Sequence, residues 1–349
     1  MAAFTYTVKK DATTLANVQD ISWSRGRNLI TDQINSARFR VKGRLPNLLP
    51  TINIGDIITI DWVTSYTQFA VADFQVNYGI NSNADEWEII GEDAFAKLGR
   101  LNATITLGSN VSNSLNAVQV VSGVTFSSRL ASATTLIQTL TNTNALAVVS
   151  QLMTSELASD VYATPTNVYW DTKNGGFIGG TTYEATDQTP GAGQWKYDQL
   201  TFSGLADNYA TKVVATSAGV GTATAGTGTR TYEFTTFNDS TTYLTNVAQM
   251  YAGFLGNFTI APNSISMIAE NQPTTPLALT WNNWSLNRGQ LLNITFRGTI
   301  YYAVIIGVTI TATPAQTRVT YNLAPSQALS SFILNSTSRG VLDTNRLGF

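Results

Sequence analysis

Apolar and polar residues alternate along two stretches of the chain, one near each end, and both stretches predict short β-strands. The first reads GDIITIDW from Gly55, and the second reads GQLLNITF from Gly289. Two further apolar strands follow each one, at 69–71 and 87–90 in the first copy and at 302–304 and 318–321 in the second. Short strands of Ile, Val and Thr can look alike by chance. The shared order, with offsets of 234 (289 − 55) and 233 (302 − 69), favours duplication of a small antiparallel β-barrel.

If the barrel is duplicated, residues at corresponding places in the two copies should occupy equivalent positions in the fold. Gly55 and Gly289 should lie in matching turns, and Ile58 and Leu292 should occupy matching strand positions. A shift of one residue would turn both sets of apolar side chains away from their cores, because side chains alternate between the faces of a strand.

Between these stretches the pattern is mixed. Apolar residues at helical spacing predict one helix over about 144–158 and a second over 241–255. A strand at 167–172, followed by Asn174-Gly175, predicts a hairpin. The run 217–229, almost wholly Ala, Gly, Thr and Val, predicts a flexible loop or a pair of strands.

The resulting fold class is β-rich α+β, with two similar tube-type antiparallel barrels flanking a mixed α+β middle region. The first barrel is expected over 1–100, the accessory region over 101–256, the second barrel over 257–325, and an extended tail over 326–349. The tail carries Phe332, Leu342 and Phe349 among polar residues. Because it is too short for a core of its own, we expect it to dock on a neighbouring subunit or on the next protein of an assembly.

Composition excludes several functions. Of the 349 residues, 43% are hydrophobic and only 12% charged, and the net charge is −2 with a pI near 5.2. Such a balance predicts neither specific nucleic-acid binding nor attraction to anionic membranes. The apolar run 300–310 is too short to span a bilayer, and the first ten residues lack the pattern of a secretory signal, so we expect neither membrane insertion nor export.

The chain contains no histidine and no cysteine, which excludes Ser-His-Asp and Cys-His catalytic sites and metal sites with His ligands. Paired carboxylates, as in glycan cleavage, are the chemistry left. The acidic residues that could contribute form no convincing pair, and we predict no enzyme, cofactor or metal. These residues are Glu86, Glu88, Glu92, Asp93, Glu156, Asp160 and Asp171.

Candidate interface residues fall in two clusters besides the tail. Arg38, Arg40 and Lys42 alternate with apolar residues, which places every basic side chain on one face of a strand. We expect acidic partners such as Glu86 and Glu88 across the sheet rather than DNA. Arg25 and Arg27 on the preceding strand are also candidates, as are Trp281 and Trp284, which flank two asparagines and would either stack on a carbohydrate or pack on a neighbouring subunit.

From Trp195 onward, the order of elements resembles the minor tail proteins of long-tailed bacteriophages, which in turn resemble the trimeric baseplate hub at the tail tip. The resemblance rests on an ordered series and on no single diagnostic motif. In the N-terminal half it is looser, and 101–124 and 181–193 have no counterpart, so loops specific to this lineage are expected there. The segments that match are 24–27, Asp32, 37–41, 208–214, Tyr232, 241–255, Pro262, 277–279, Gly289, 304–308, 332–334 and 340–349.

What the resemblance implies is a structural protein of the virion, assembled in the host cytoplasm and located at the phage tail tip. Three copies with two barrels each would form a pseudo-sixfold ring around the DNA channel. The expected partners are a distal tail or tail tube ring, the tape-measure protein, a tail fibre or spike, and the host cell surface. The alternative is a carbohydrate-binding adhesin module of the tail tip.

Overall fold

A computed structural model of the chain describes residues 5–28, 36–45, 51–62, 64–80, 85–127, 133–156, 159–172, 182–203, 209–255, 261–280, 282 and 291–325. Seven strands form an N-terminal sheet unit. In chain order they are β1 (Thr7–Lys10), β2 (Thr13–Thr14), β3 (Val18–Gly26), β4 (Arg38–Arg44), β5 (Ile57–Asp61), β6 (Tyr66–Asn77) and β7 (Glu86–Glu92). Adjacent strands pair in the order β3-β4-β7-β6-β5-β1-β2, and all pairs are antiparallel.

The middle of the chain adds helices and small sheets. Its first elements are α1 (Ala94–Gly99), β8 (Asn102–Thr106), α2 (Val111–Ser122), β9 (Thr125–Ser127), β10 (Thr139–Asn144), α3 (Ala145–Ser155), β11 (Ser159–Ala163) and β12 (Asn167–Thr172). Strands β8 and β10 pair with each other, and β12 lies between β11 and β9. Helices α1, α2 and α3 pack on these strands around one core, which includes Leu98, Leu115, Leu152 and Trp170.

Seven further strands form a C-terminal sheet unit, although three of them precede the rest in the chain. These three are β13 (Thr182–Thr186), β14 (Gln194–Lys196) and β15 (Gln199–Ser203). Next come β16 (Lys212–Ser217), β17 (Gly221–Gly226), β18 (Thr231–Thr236) and α4 (Thr241–Leu255), which share a small core of their own. The unit is completed by β19 (Ala261–Ile268), β20 (Leu291–Phe296), β21 (Thr299–Ala312) and β22 (Thr317–Pro325).

The C-terminal unit repeats the strand order of the N-terminal unit. Its strands pair as β15-β19-β22-β21-β20-β13-β14, so that β15 corresponds to β3, β19 to β4 and β20, β21 and β22 to β5, β6 and β7. Only one strand differs in direction: β1 is antiparallel to both neighbours, whereas its counterpart β13 is parallel to both. The strand order therefore repeats between the two units, although three strands of the second unit, β13 to β15, lie outside the predicted range 257–325.

The register of the two copies also agrees. Val71 faces Gly91 and Asp73 faces Ile90, which leaves Ala72 as a bulged residue. In the second copy the register shifts in the same way at Ile306, with the pairs Ile305–Leu323 and Gly307–Asn322. The offset is 234 along β6 and β21 (305 − 71 and 307 − 73) and 232 along β7 and β22 (323 − 91 and 322 − 90). A bulge conserved between the copies is strong evidence of common descent, since bulges are retained within families.

Ile58 and Leu292 occupy matching core positions, as predicted, and both are fully buried. Ile58 pairs with Phe69, and Leu292 pairs with Ala303. Gly55 lies in a turn at φ +90°. Gly289 lies outside the described residues.

Closure of each unit into a barrel stays a prediction, because the ladders between described residues form an open path in each unit. The two ends of each path nevertheless belong to one continuous piece of chain. Strands β2 and β3 lie within residues 13–26, and β14 and β15 lie within residues 194–203.

A ladder between β21 and β3 joins the two units into one 14-stranded sheet. It is antiparallel and extends from the pair Gly307–Gly26 to the pair Ala312–Ile21. A single hydrophobic core spans both units, from Ile21 and Trp23 to Ile310 and Tyr321.

Helix α4 matches its predicted bounds, and α3 lies within the predicted 144–158, of which 157–158 are outside the described residues. Helix α2 was not predicted. It begins at Asn110, whose side chain accepts a hydrogen bond from the Asn113 amide, and ends at Gly123 at φ +64°. Polar residues such as Ser114, which is buried, weaken its apolar spacing in the sequence.

Two segments that were expected to be loops carry regular structure. Residues 101–124 hold β8 and α2, and 181–193 hold β13, which is inserted beside β20 in the large sheet. The strand predicted at 167–172 is present as β12, although its partners are β11 and β9, and 173–181 lie outside the described residues. The run 217–229 forms part of a strand pair, with β17 antiparallel to β16.

Candidate interaction surfaces

The basic side chains of β4 lie on the face opposite its buried residues Phe39 and Val41. Arg40 contacts Glu88 at 2.5 Å and Asp20 at 3.9 Å, and Lys42 contacts Glu88 at 3.7 Å. The expected pairing of this strand with acidic residues across the sheet is therefore confirmed for Glu88. The positive and negative side chains of this network compensate each other within the chain. Little net electrostatic potential therefore remains to attract a polyanion.

The other acidic candidates are also held in structural contacts. Glu92 is the register partner of Arg38 and receives hydrogen bonds from both terminal nitrogens of the Arg100 guanidinium. Glu156 is buried and accepts a hydrogen bond from the Ala133 amide at 2.9 Å. Asp160 and Asp171 are register partners on the antiparallel strands β11 and β12.

A groove of about 520 Å³ crosses this charged face. Five strands of the joined sheet line it, with Arg38, Arg40, Ile90, Ala72 and Thr309 among the lining residues. Ile90 is partly exposed there, between charged neighbours. The groove thus combines an apolar floor with a charged rim, a composition found at polar protein interfaces.

The equivalent face of the C-terminal unit is uncharged at the positions that match Lys42 and Glu88. Ser266 and Thr320 are register partners on β19 and β22, and their hydroxyl oxygens lie 2.7 Å apart. They correspond to Lys42 and Glu88, which are register partners on β4 and β7. The two copies therefore share a backbone and present different chemistry on this face.

Arg25 differs from the other basic candidates because its side chain is buried. Its guanidinium carbon lies 5.2 Å from the centre of the Phe39 ring, and its charge acts on buried Asp93. The Asp93 carboxylate accepts hydrogen bonds from the Ala37 amide at 3.0 Å and from the Phe95 amide at 3.1 Å. Burial raises the pKa of Asp93 to about 7, although Arg25 and the amide donors act in the opposite direction.

This cluster connects the N-terminal sheet unit to the middle region. Asp93 caps α1 through Phe95 and at the same time holds Ala37, which precedes β4. Arg27 makes a second connection, since its Nη2 donates to the sulfur of Met153 in α3 at 2.7 Å. Arg25 and Arg27 thus hold together parts of the same chain.

The remaining interface candidates, Trp281, Trp284, Phe332, Leu342 and Phe349, lie outside the described residues. Asn282, between the two tryptophans, is described and accepts a hydrogen bond from the Tyr66 amide at 3.0 Å. Nearby, the Ser65 hydroxyl donates to the Leu279 carbonyl at 2.8 Å. The segment that leads to the two tryptophans is therefore attached to the β5–β6 turn of the N-terminal unit.

Two further kinds of site are absent from the described ranges. No group of three or more acidic, His or Cys residues there is arranged to hold a metal ion. No helix within those ranges is both long and apolar enough to cross a membrane.

The fold is that of bacteriophage tail proteins. A tail protein from Neisseria meningitidis MC58 has a TM-score of 0.67 at 9% identity, over 93% of this chain and 96% of that chain. The 43 kDa tail protein of prophage MuSo2 from Shewanella oneidensis has a TM-score of 0.60 at 12% identity, over 93% of this chain and 98% of that one. The predicted resemblance to phage tail proteins is thus confirmed in the fold.

A third structure extends the similarity beyond phages. The E. coli c3393 protein, described as a component of the type VI secretion system with structural similarity to the T4 tail proteins gp27 and gp5, has a TM-score of 0.57 at 9% identity. The match covers 92% of this chain and 76% of that chain. No protein-family model and no curated protein sequence matches the chain. The similarity is therefore carried by the backbone and by strand order.

Proposed function

We propose that this chain is a non-enzymatic structural hub of a phage tail tip. Three copies would form a ring of six similar units that joins a sixfold tail tube to threefold tip proteins and surrounds the DNA channel. The observation that carries the proposal is the seven-strand unit that occurs twice with the same strand order and with the same bulge between β6 and β7 as between β21 and β22. Two similar units per chain allow a threefold assembly to present six similar surfaces.

Closure of both units into barrels is part of this proposal. The ends of each strand path meet in one stretch of chain, 13–26 in the first unit and 194–203 in the second. Because β14 pairs with β13 and β15 pairs with β19, residues 194–203 bridge the two edges of the C-terminal sheet. Residues 13–26 bridge the N-terminal sheet in the same way, through β2 with β1 and β3 with β4.

The remaining assignments follow from the hub. Its partners would be the tail tube or distal tail ring on one side, a fibre or spike on the other, and the tape-measure protein within the channel. The unit boundaries proposed are 1–100, 101–256, 257–325 and the tail 326–349, with β13 to β15 contributed from the middle range to the second barrel. We also place the protein in the virion, at the tail tip.

Measurement of mass in solution tests the proposal. Multi-angle light scattering over a range of concentrations should give a trimer or a concentration-dependent approach to it, because among the described residues β15 and the second half of β6 are each paired along one side only. Negative-stain images should then show rings with six similar lobes. A well-folded monomer at every concentration, which never joins a tail in a reconstitution, would contradict the hub.

A further inference from the structure

We propose that neighbouring copies join through an antiparallel ladder between Gln75–Tyr78 of one chain and Leu200–Ser203 of the next. This intermolecular ladder would repeat the β21–β3 ladder that already joins the two units within one chain. The inference rests on the proposed ring and specifies the residues and register by which that ring closes.

The joint within the chain provides the template. Residues Gly307 to Ala312, the second half of β21, pair with Gly26 to Ile21 of β3. The first half of β21 pairs instead with β20, so beyond the bulge one edge of β21 changes partner from β20 to β3, while its other edge stays paired with β22. Side chains at the joint are buried, including Val308, Ile310 and Trp23.

Because the two units correspond strand by strand, the residues of the β21–β3 joint can be mapped onto their counterparts, β6 and β15. The offset of 234 along β21 and β6 places Gly307 at Asp73 and Ala312 at Tyr78. On the other side, Ile21 pairs with Val41, which pairs with Ile89. Leu200 pairs with Ile265, which pairs with Tyr321, so Leu200 holds the position of Ile21.

Both transferred edges are open in the chain. Strand β6 pairs with β5 only over Tyr66–Ala70, and its residues Asp73–Asn77 pair with β7 on one side. Strand β15 pairs with β19 alone. Among the described residues, no ladder occupies the second edge of either segment, whereas the equivalent edges of β21 and β3 are paired with each other.

The side chains on these open edges fit burial in a further sheet. Phe74 and Val76 take the positions of fully buried Val308 and Ile310, and they are only partly buried. Leu200 and Phe202, which take the positions of Ile21 and Trp23 when residues are counted along β15, are partly buried as well. The β15–β19 ladder shifts register at Phe202, where Asn263 is the additional residue on β19, so the count along β15 itself is the one that applies. An exposed apolar side chain at the end of the segment, Tyr78, is 79% accessible. A strand edge of this kind is a template for pairing with another chain.

The register follows from the template. Within the chain, Ile310 is the register partner of Trp23, so Val76 should lie opposite Phe202 in the neighbouring chain. In the same way, Thr311 is the register partner of Ser22, so Asn77 should lie opposite Thr201. Each chain would offer β6 to one neighbour and β15 to the other, a head-to-tail contact that closes into a ring when the rotation permits. Three chains would then contain six equivalent joints, three within chains and three between them.

Engineered cysteines test the register directly, because the natural chain has no cysteine. Asn77→Cys and Thr201→Cys, placed together in one chain, should form disulfides between chains on mild oxidation. Residues opposite each other in an antiparallel ladder have Cα separations of roughly 4.5–5.5 Å, which a disulfide can bridge. Covalent dimers and closed trimers should appear on a non-reducing gel.

Two controls make the result specific. Asn77→Cys or Thr201→Cys alone should give no covalent trimer, and Asn77→Cys with Gln199→Cys, two residues out of register, should cross-link far more slowly. A trimer by light scattering that does not cross-link at 77–201, or cross-links equally at 77–199, overturns the ladder while leaving the hub intact. A chain that is monomeric at every concentration overturns both proposals.

A charge pair provides a second test that needs no oxidation. Asn77→Lys with Thr201→Lys should weaken the trimer, and Asn77→Lys with Thr201→Glu should restore it, with a difference of about fivefold in dissociation constant per joint. Both positions are exposed, so folding should be retained in both variants. Equal dissociation constants for the two variants would contradict the pairing.

Discussion

At the scale of single residues, the buried carboxyl of Asp93 makes stability depend on pH. Its pKa is about 7 in the folded chain, against an ordinary value of 3.8, chiefly because burial disfavours the charged form. Between those two values the folded state holds a proton that the unfolded state has released. Stability contributed by this group is therefore full below about pH 4 and is lost as pH rises to about 7 and beyond.

We expect Asp93→Asn to remove this contribution, which amounts to at most about 1.4 kcal/mol per pH unit. Urea unfolding of the wild type and the variant at intervals from pH 4.5 to pH 8 measures it as the difference between two slopes. Asp11→Asn, in an exposed turn, is the matched control and should preserve the wild-type slope. Parallel curves for Asp93→Asn and the wild type would show that Asp93 does not titrate in this range.

Core residues explain why the two copies are hard to align by sequence. Phe69 packs where a Cβ on Gly91 would lie only 1.8 Å from its ring, so this pair combines a large and a small residue. The equivalent positions hold Ala303 and Leu323, both buried, with the sizes exchanged. Total volume is conserved while identity is lost, and cores tolerate that exchange well. The alternation of buried positions could be predicted from the sequence, but the exchange of partners could not.

At the scale of elements, α3 depends on its N-cap. The Asn144 side chain accepts a hydrogen bond from the Ala147 amide at 3.1 Å and donates to the Gly99 carbonyl at 2.8 Å, at the end of α1. Asn144→Ala should lower the free energy of unfolding by about 1 kcal/mol, because an orphan amide of the first turn loses its partner. Denaturant unfolding followed by circular dichroism measures the loss.

Serine at the same position is the control for this prediction. Asn144→Ser keeps a capping oxygen and loses the bond to Gly99, so its stability should fall between those of the wild type and the alanine variant. An alanine variant as stable as the wild type would mean that the cap contributes nothing to α3.

Elements whose buried positions are all apolar could be predicted from the spacing of those residues, whereas elements that also bury polar side chains could not. The residues Leu244, Val247, Ala248, Tyr251 and Leu255 identify α4 because all of them are apolar and buried. Helix α2 buries Ser114 and Ser122 beside its apolar residues, so its spacing is diluted. Strand β13 could not be placed from its own sequence either, since its position beside β20 is set by parallel pairing with a segment more than one hundred residues away.

At the scale of the whole molecule, the C-terminal tail gives a prediction that concerns assembly alone. Deletion of residues 332–349 removes Phe332, Leu342 and Phe349 from a segment that follows the last strand, β22. We expect the truncated chain to unfold at the wild-type denaturant midpoint and to assemble less into tail tips, as scored by reconstitution. The full-length variant carrying Phe332→Ser and Leu342→Ser controls for length and should show the same defect. Complete infectious particles built from truncated chains would refute the docking of the tail.

The joint between the units lies beyond sequence-based reasoning because it brings together residues from nearly opposite ends of the sequence. Gly26 and Gly307 face each other across it, 281 residues apart (307 − 26). Two similar units could be predicted from the repeated strand pattern. Which strand of one unit meets which strand of the other depends on the bulge at Ile306, where one edge of β21 changes partner. Gly307 leaves room there for the backbone of Arg27, but a glycine in a strand indicates a close approach without identifying the partner strand.

In the proposed ring, the covalent link between the two units would change the concentration at which assembly occurs. Within one chain the β21–β3 ladder closes on folding, at an effective concentration set by the intervening segments and independent of how many copies are present. A closed ring of six separate single-unit proteins would have six contacts between chains, whereas a ring of three double units has three. Duplication thereby lowers the threshold for assembly and leaves each half free to diverge, so that charged Lys42 and Glu88 stand in one unit where Ser266 and Thr320 stand in the other.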